Sequence, residues 1–155
     1  MDTLNSAEEI DLPKTQEEFV PQRVYTDADP AFGELKELGK GMAKVWLATT
    51  KAMASDSMGL VHAGFIFSSA NFSAMCAIND PNAILIGADS KFLAPIEVGN
   101  EIEFRARALQ NDTKKREVKV EGYVLDIKVF DAMFYVAMFD HHIFKLRITE
   151  KKKPS

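Results

Sequence analysis

No Asp, Glu, Lys or Arg interrupts the 23 residues from Ser57 to Asn79. Elsewhere, charges recur every few residues. A surface helix of a soluble protein keeps a charged face toward water. A helix made from this stretch is therefore buried all round, spans a membrane, or lies in a sheath of other elements. The spanning alternative fails. A membrane helix needs about 20 mainly apolar residues, and Gly59, His62, Gly64, Ser68, Ser69, Asn71 and Ser73 break this run. There is no second apolar stretch. The acidic residues Asp2, Glu8 and Glu9 behind Met1 are not those of a signal peptide. The expectation is a cytoplasmic protein without a membrane span. The stretch reads as a loop to about Val61 and a buried helix over 62–78, which Asn79-Asp80-Pro81 stops because the residue before proline avoids helical geometry.

The rest of the chain is strand-rich. Asp29 and Pro30 are placed to cap and open a short helix over 30–38, which Gly39 and Gly41 end. Residues 42–50 alternate as a strand, and 83–94 form a second. Residues 101–109 alternate most clearly, with Ile102, Phe104, Ala106 and Ala108 on one face and Glu101, Glu103, Arg105 and Arg107 on the other. The polar residues Gln110 to Thr113 predict a turn. A strand over 117–129 shifts its inward phase near Gly122, the mark of a bulge, and 134–147 is read as the last strand. Strand, long helix, then four strands with short connections is an α+β arrangement, an antiparallel sheet curled round one helix. The sheet does not cover every side of that helix, so a partner subunit is expected on the remainder.

Composition narrows the function classes. The chain is long enough to bury a core without disulfides or metal. Cys76 is the single cysteine and sits in the neutral helix as a core thiol. An acidic arm over 1–38 precedes the main unit at 39–148, and a basic tail follows at 149–155. Residues 1–20 set six acids against Lys14, while Lys151, Lys152 and Lys153 close the chain. No nucleic-acid-binding motif is present. His141 and His142, adjacent on an expected strand, face opposite sides and form no metal site; no metal and no cofactor are expected.

The stretch Asp-Ser-Met-Gly-Leu-Val-His-Ala-Gly-Phe-Ile-Phe-Ser-Ser-Ala-Asn, residues 56–71, resembles the loop and helix start of hotdog-fold acyl-CoA thioesterases. Residues 91–108 are similar to that family's strand–turn–strand, with Gly99-Asn100 where Gly-Asp is usual. The resemblance covers roughly residues 40–147. It implies a hotdog fold with about five strands round the helix, a homodimer or dimer of dimers, and acyl-thioester sites where subunits meet. Coenzyme A thioesters would be substrate or ligand.

Within that resemblance, Asp56 matches the carboxylate of the 4-hydroxybenzoyl-CoA branch. The alternative reading is that it ends a surface turn. His62, Ala63 and Gly64 stand where the phenylacetate-type branch has His-Gly-Gly. Gly64 would offer its N–H to the developing oxyanion at the positive helix end, and His62 would hold the loop or bond the thioester carbonyl. Asn71 occupies that branch's acid position, while Asp56 stands where that branch has an asparagine. The two have exchanged acid and amide: either they work as a swapped pair, or the site binds without hydrolysing. Gly64, Ser68, Asn71 and Met75 share one helix stripe, expected to line a substrate channel. Lys91, Arg105, Arg107, Lys114, Lys115 and Arg116 are candidates for the coenzyme A phosphates. Two alternatives stand beside hydrolysis. One is a regulatory protein that binds acyl-CoA without catalysis. The other is an enoyl-CoA hydratase or dehydratase, although one extra residue separates Asp56 from His62 relative to that motif.

Overall fold

The computed structural model describes residues 29–109 and 114–145. Most of the acidic arm, the turn at 110–113 and the terminal lysines lie outside these residues. The neutral stretch forms the expected helix, α1, over Ala63–Ile78. Asn79 closes it in the left-handed conformation (φ 53°, ψ 44°), its N–H donating to Met75 O at 2.9 Å. Asparagine tolerates that geometry better than other residues with a Cβ. Ile66, Ala70, Ser73, Ala74 and Ala77 recur at helical spacing and are all buried. The Ser73 hydroxyl donates to Ala70 O one turn back, at 2.7 Å, so its burial leaves no orphan hydroxyl.

Among the described residues, six strands form beside the helix: β1 (Glu34–Gly39), β2 (Met42–Ala48), β3 (Ile84–Phe92), β4 (Glu101–Ala108), β5 (Lys115–Val124) and β6 (Ile127–Ala137). They form one antiparallel sheet in the order β1-β2-β4-β5-β6-β3. The α+β expectation holds. The sheet's inner face is apolar, with Val45, Leu47, Ile102, Phe104, Val118, Val120, Phe130 and Phe134 buried under α1. The helix packs on β2, β4 and β5. Among the described residues, no helix is long and apolar enough to cross a membrane.

Three sequence expectations change. Asp29 and Pro30 do cap and open a helical segment, the Asp29 carboxylate accepting from Ala31 N–H at 2.8 Å. That segment is a single 3-10 turn, Pro30–Phe32, and the chain continues as strand β1 rather than helix. The segment 117–129 is not one strand. It turns back at Leu125-Asp126, so that Val124 pairs with Ile127. The bulge at Gly122 is present as a register shift between Gly122 and Tyr123. A Cβ on Gly122 would lie 3.0 Å from both Phe104 and Phe130. The final strand ends at Ala137, so His141 and His142 lie beyond the sheet.

The outer face is polar. Lys119 Nζ lies 2.6 Å from Asp131 Oδ1, and Lys128 Nζ 2.6 Å from Glu121 Oε2 and 3.6 Å from Asp131. The hydrogen bond from Lys119 holds the Asp131 carboxyl below the usual carboxylate range, and that from Lys128 does the same for Glu121. A carboxyl depressed in the folded state stabilises the fold above its unfolded pKa of about 4 and stops doing so as pH falls through the folded value. The thermal unfolding midpoint should therefore drop as pH falls below about 4, and Asp131→Asn should flatten that drop; an unchanged slope in Asp131→Asn would contradict the role given to these pairs.

Gly33 takes φ 98° and ψ 174°, and a Cβ there would sit 2.6 Å from Val45 Cγ1 and 2.7 Å from Ser69 Oγ. Gly33→Ala should cost more than about 2 kcal/mol in urea unfolding, from strain and overlap together.

Candidate functional site

The loop between β2 and α1 is pinned on both sides. Val61 N–H donates to Ile96 O at 2.8 Å, and Val98 N–H to Gly59 O at 2.8 Å. Gly59 (φ 87°) and Gly99 (φ 101°) supply the left-handed turns. Where the resembled family has Gly-Asp, this chain has Gly99-Asn100, and the Asn100 Oδ1 accepts from Glu97 N–H at 3.2 Å. Within the loop, Asp56 Oδ1 accepts from Met58 N–H at 2.9 Å and Leu60 N–H at 3.1 Å. One carboxylate oxygen is thus committed to an Asx turn on an exposed residue.

His62 is the N-cap of α1. Its Nδ1 accepts from Gly64 N–H at 2.9 Å, and its backbone N–H donates to Met53 O at 2.8 Å. A ring nitrogen that accepts carries no proton, which leaves Nε2 as the donor toward solvent. A Cβ on Gly64 would lie 3.2 Å from the His62 ring, so glycine is what lets the imidazole fold over the helix end. The Gly64 N–H, expected to face an oxyanion, is given to His62 in this structure. A cavity of about 380 Å³ opens beside the cap, with His62, Ala63, Ile66, Phe92 and Leu93 among its walls. Asp56 and Asn71 are not among them.

The stripe of Gly64, Ser68, Asn71 and Met75 lies on the helix side turned away from the sheet. Gly64 is exposed, and Ser68 and Asn71 are half-buried. Met75 is buried in the core, so the stripe is open for only its first two turns. Asn71 Oδ1 is enclosed and has no hydrogen-bond partner in this structure.

Most of the cationic candidates are elsewhere. Arg105 and Arg107 lie on the sheet's outer face. Arg105 donates to Glu103 and stacks 4.2 Å from the Tyr123 ring centre. Lys115 pairs with Ala137, as does Ile84, the first residue of β3. That puts Lys114, Lys115 and Arg116 at the far end of the sheet from Phe92 and the helix start, about 25 Å away along a strand of this length. Lys91 is nearer, opposite Asp131, but on the outer face. Within one chain, these cations do not converge on the loop. Among the described residues, no cluster of three His, Cys, Asp or Glu is placed to hold a metal.

Two features escaped the sequence reading. Phe65, Ser69 and Phe72 form a second stripe at 4-3 spacing, beside the first and facing the 3-10 turn. Ser69 Oγ on it is buried without a hydrogen-bond partner. The 4-3 spacing was a usable signal, masked because any aromatic stripe reads first as core.

No family model matches the chain. Among solved structures it is 38% identical to Cj0977, a sigma28-regulated virulence protein from Campylobacter jejuni. That match has a TM-score of 0.74 and covers 76% of this chain and 84% of that one. A mutant of the phenylacetic acid degradation protein PaaI from Thermus thermophilus superposes with a TM-score of 0.65 at 23% identity, over 72% of this chain and all of that one, a likeness of fold alone. Among curated proteins, 103 residues are 44% identical to a methylthioribose-1-phosphate isomerase from Aquifex aeolicus. That is 66% of this chain, and the chain spans only 23% of the isomerase's length.

His62→Ala should lower stability by about 0.5–1 kcal/mol through loss of the cap, and His62→Ser should restore it; equal unfolding midpoints for all three proteins would rule out the capping role.

Proposed function

Because the chain belongs to the hotdog-fold thioesterase-like family, we propose that it binds acyl thioesters of coenzyme A along the open stripe of α1, in the cytoplasm, where two copies of the chain meet. The observation that carries the reading is Asn71. Its amide oxygen is enclosed, unpartnered and set on the one helix side that the sheet does not cover. An unsatisfied buried acceptor costs about 1–3 kcal/mol. A ligand amide N–H, of which the pantetheine arm has two, would remove that cost.

The homodimer, or dimer of dimers, rests on what one chain leaves open. β3 has β6 on one side and, among the described residues, no strand on the other. Leu60, Phe92 and Leu93, beside the cap, are exposed. An apolar edge of this kind asks for a partner, and a second copy would bring its own cations toward the site.

Hydrolysis is the second reading, and Asp56 favours it. Only its Oδ1 is used in the Asx turn, so the other oxygen has lone pairs for water. Isomerisation of a sugar phosphate is not carried over: we take the shared 103 residues as a hotdog unit and assign that chemistry to the remainder of the longer isomerase.

The test is a panel of acyl-CoA esters, read by thermal shift and by free-thiol release. Binding should stabilise the protein by about 2.7 kcal/mol at a hundredfold excess over Kd. Asn71→Ala should weaken binding roughly tenfold, about one lost hydrogen bond. Asp56→Asn keeps the turn's acceptor while removing the carboxylate, so thiol release that survives in Asp56→Asn excludes Asp56 as the acid. No thermal shift with any acyl-CoA sinks the binding reading itself.

A further inference from the structure

On the outer face of the sheet, like charges stand directly opposite one another twice. Lys44 on β2 is the register partner of Arg105 on β4. Arg107, two residues further along β4, is the register partner of Lys119 on β5. Strand alternation keeps all four side chains on this face, because Val45, Phe104, Ala106, Val118 and Val120 point inward and are buried. Like charges opposite each other on neighbouring strands destabilise a sheet, and here two such pairs share one strand.

A shallow cavity of about 320 Å³ lies among them, with Lys44, Arg105, Arg107, Lys119, Met42 and Glu121 in its walls. Three of the cations have a carboxylate to the side. Lys44 Nζ lies 2.9 Å from Glu37, Arg105 Nη2 2.8 Å from Glu103, and Lys119 Nζ 2.6 Å from Asp131. None of those three carboxylates lines the cavity. Glu121, which does, is held 2.6 Å from Lys128. Arg107 has no carboxylate partner among the described residues. It is the uncompensated charge of the group, and it faces another cation across the strand gap.

We propose that this cavity binds a phosphate group, with Arg107 as its anchor. A guanidinium presents paired N–H donors that match phosphate oxygens. Lys119, opposite Arg107, and Lys44, diagonal to it, add positive charge while keeping their own carboxylates. An anion between Arg107 and Lys119 turns their repulsion into two attractions. The site is independent of the thioester reading. Within one chain the sheet stands between this face and the open stripe of α1, and neither Asp56, His62 nor Asn71 lines the cavity.

Calorimetric titration with inorganic pyrophosphate, at an ionic strength held constant with sodium chloride, tests the site. Binding should be saturable. Arg107→Gln should weaken it at least about tenfold, as expected for a lost charge-assisted contact, and Arg107→Lys should weaken it less. Lys91→Gln, which removes a cation from the same face outside the cavity, should leave it unchanged. Coenzyme A titrated beside pyrophosphate separates the sources of the phosphate. An affinity for coenzyme A that falls equally in Arg107→Gln supports the site with coenzyme A as the source. An affinity that does not fall supports it with a separate phosphate compound as the source. No saturable heat with pyrophosphate, equal pyrophosphate affinity in the parent and Arg107→Gln, or an equal loss in Lys91→Gln would each overturn the proposal.

Discussion

The seating of α1 on the inner face of β2, β4 and β5 is the contact on which the rest of the molecule depends. It works because the sheet-facing side of the helix is small: Ala70, Ser73, Ala74 and Ala77 let the backbone approach the strands, while the bulk comes from the sheet in Phe104, Phe130 and Phe134. Burying each such phenylalanine contributes about 1.5–3 kcal/mol. A charged residue on this helix beyond its exposed first turn would work against that. The sheet-facing side would have to desolvate it, and the opposite side is where Asn71 already shields its amide oxygen from water. The absence of charge is thus one property with two consequences, a close-packed core beneath and an open neutral stripe above.

How much of this was legible depended on how local its cause was. Helix α1 and strand β4 were plain because each carries an unbroken pattern, neutral in one and alternating in the other. The cap at Asp29, the stop at Asn79-Asp80-Pro81 and the bulge at Gly122 were legible because each rests on the chemistry of one or a few neighbouring residues; that Asn79 itself closes the helix in the left-handed conformation was not read. β1 was misread for a physical reason. Leu35 and Leu38 are three apart, which mimics a helix, but a register shift between Leu35 and Glu37 puts a bulge in the strand. The β5–β6 hairpin was hidden because its turn carries no Gly, Asn or Pro. Leu125 takes the left-handed conformation (φ 54°) and stays 87% exposed, a turn that tertiary pairing imposes against local preference.

The positions of the candidate residues along the chain were legible, and the arrangement around them was not. His62 and Asn71 stand on the helix as their spacing requires. What the sequence did not reveal is where each group spends its hydrogen bonds. Gly64 gives its N–H to His62, Asp56 gives an oxygen to the Met58 and Leu60 amides, and the basic residues of β4 and β5 follow the sheet's pleat to its outer face or far end. The first two are local bonds between residues two to four apart, whose partners spacing alone does not choose; the third is set by strand register, which couples residues tens of positions apart.

That arrangement bears on the exchange of acid and amide between positions 56 and 71. A carboxylate at position 71 would be half-buried on a helix without a single charge, and desolvation there favours the neutral acid, which is no base. An amide in the same place carries no charge to desolvate and keeps its acceptor. The carboxylate at position 56 meets neither difficulty, since water reaches it and two backbone N–H groups bond one of its oxygens. The chain therefore keeps its charge where the local environment supports it and an uncharged acceptor where a ligand would be enclosed. On the proposed function, that division suits a thioester held along the helix, with any cleavage left to a carboxylate at the loop.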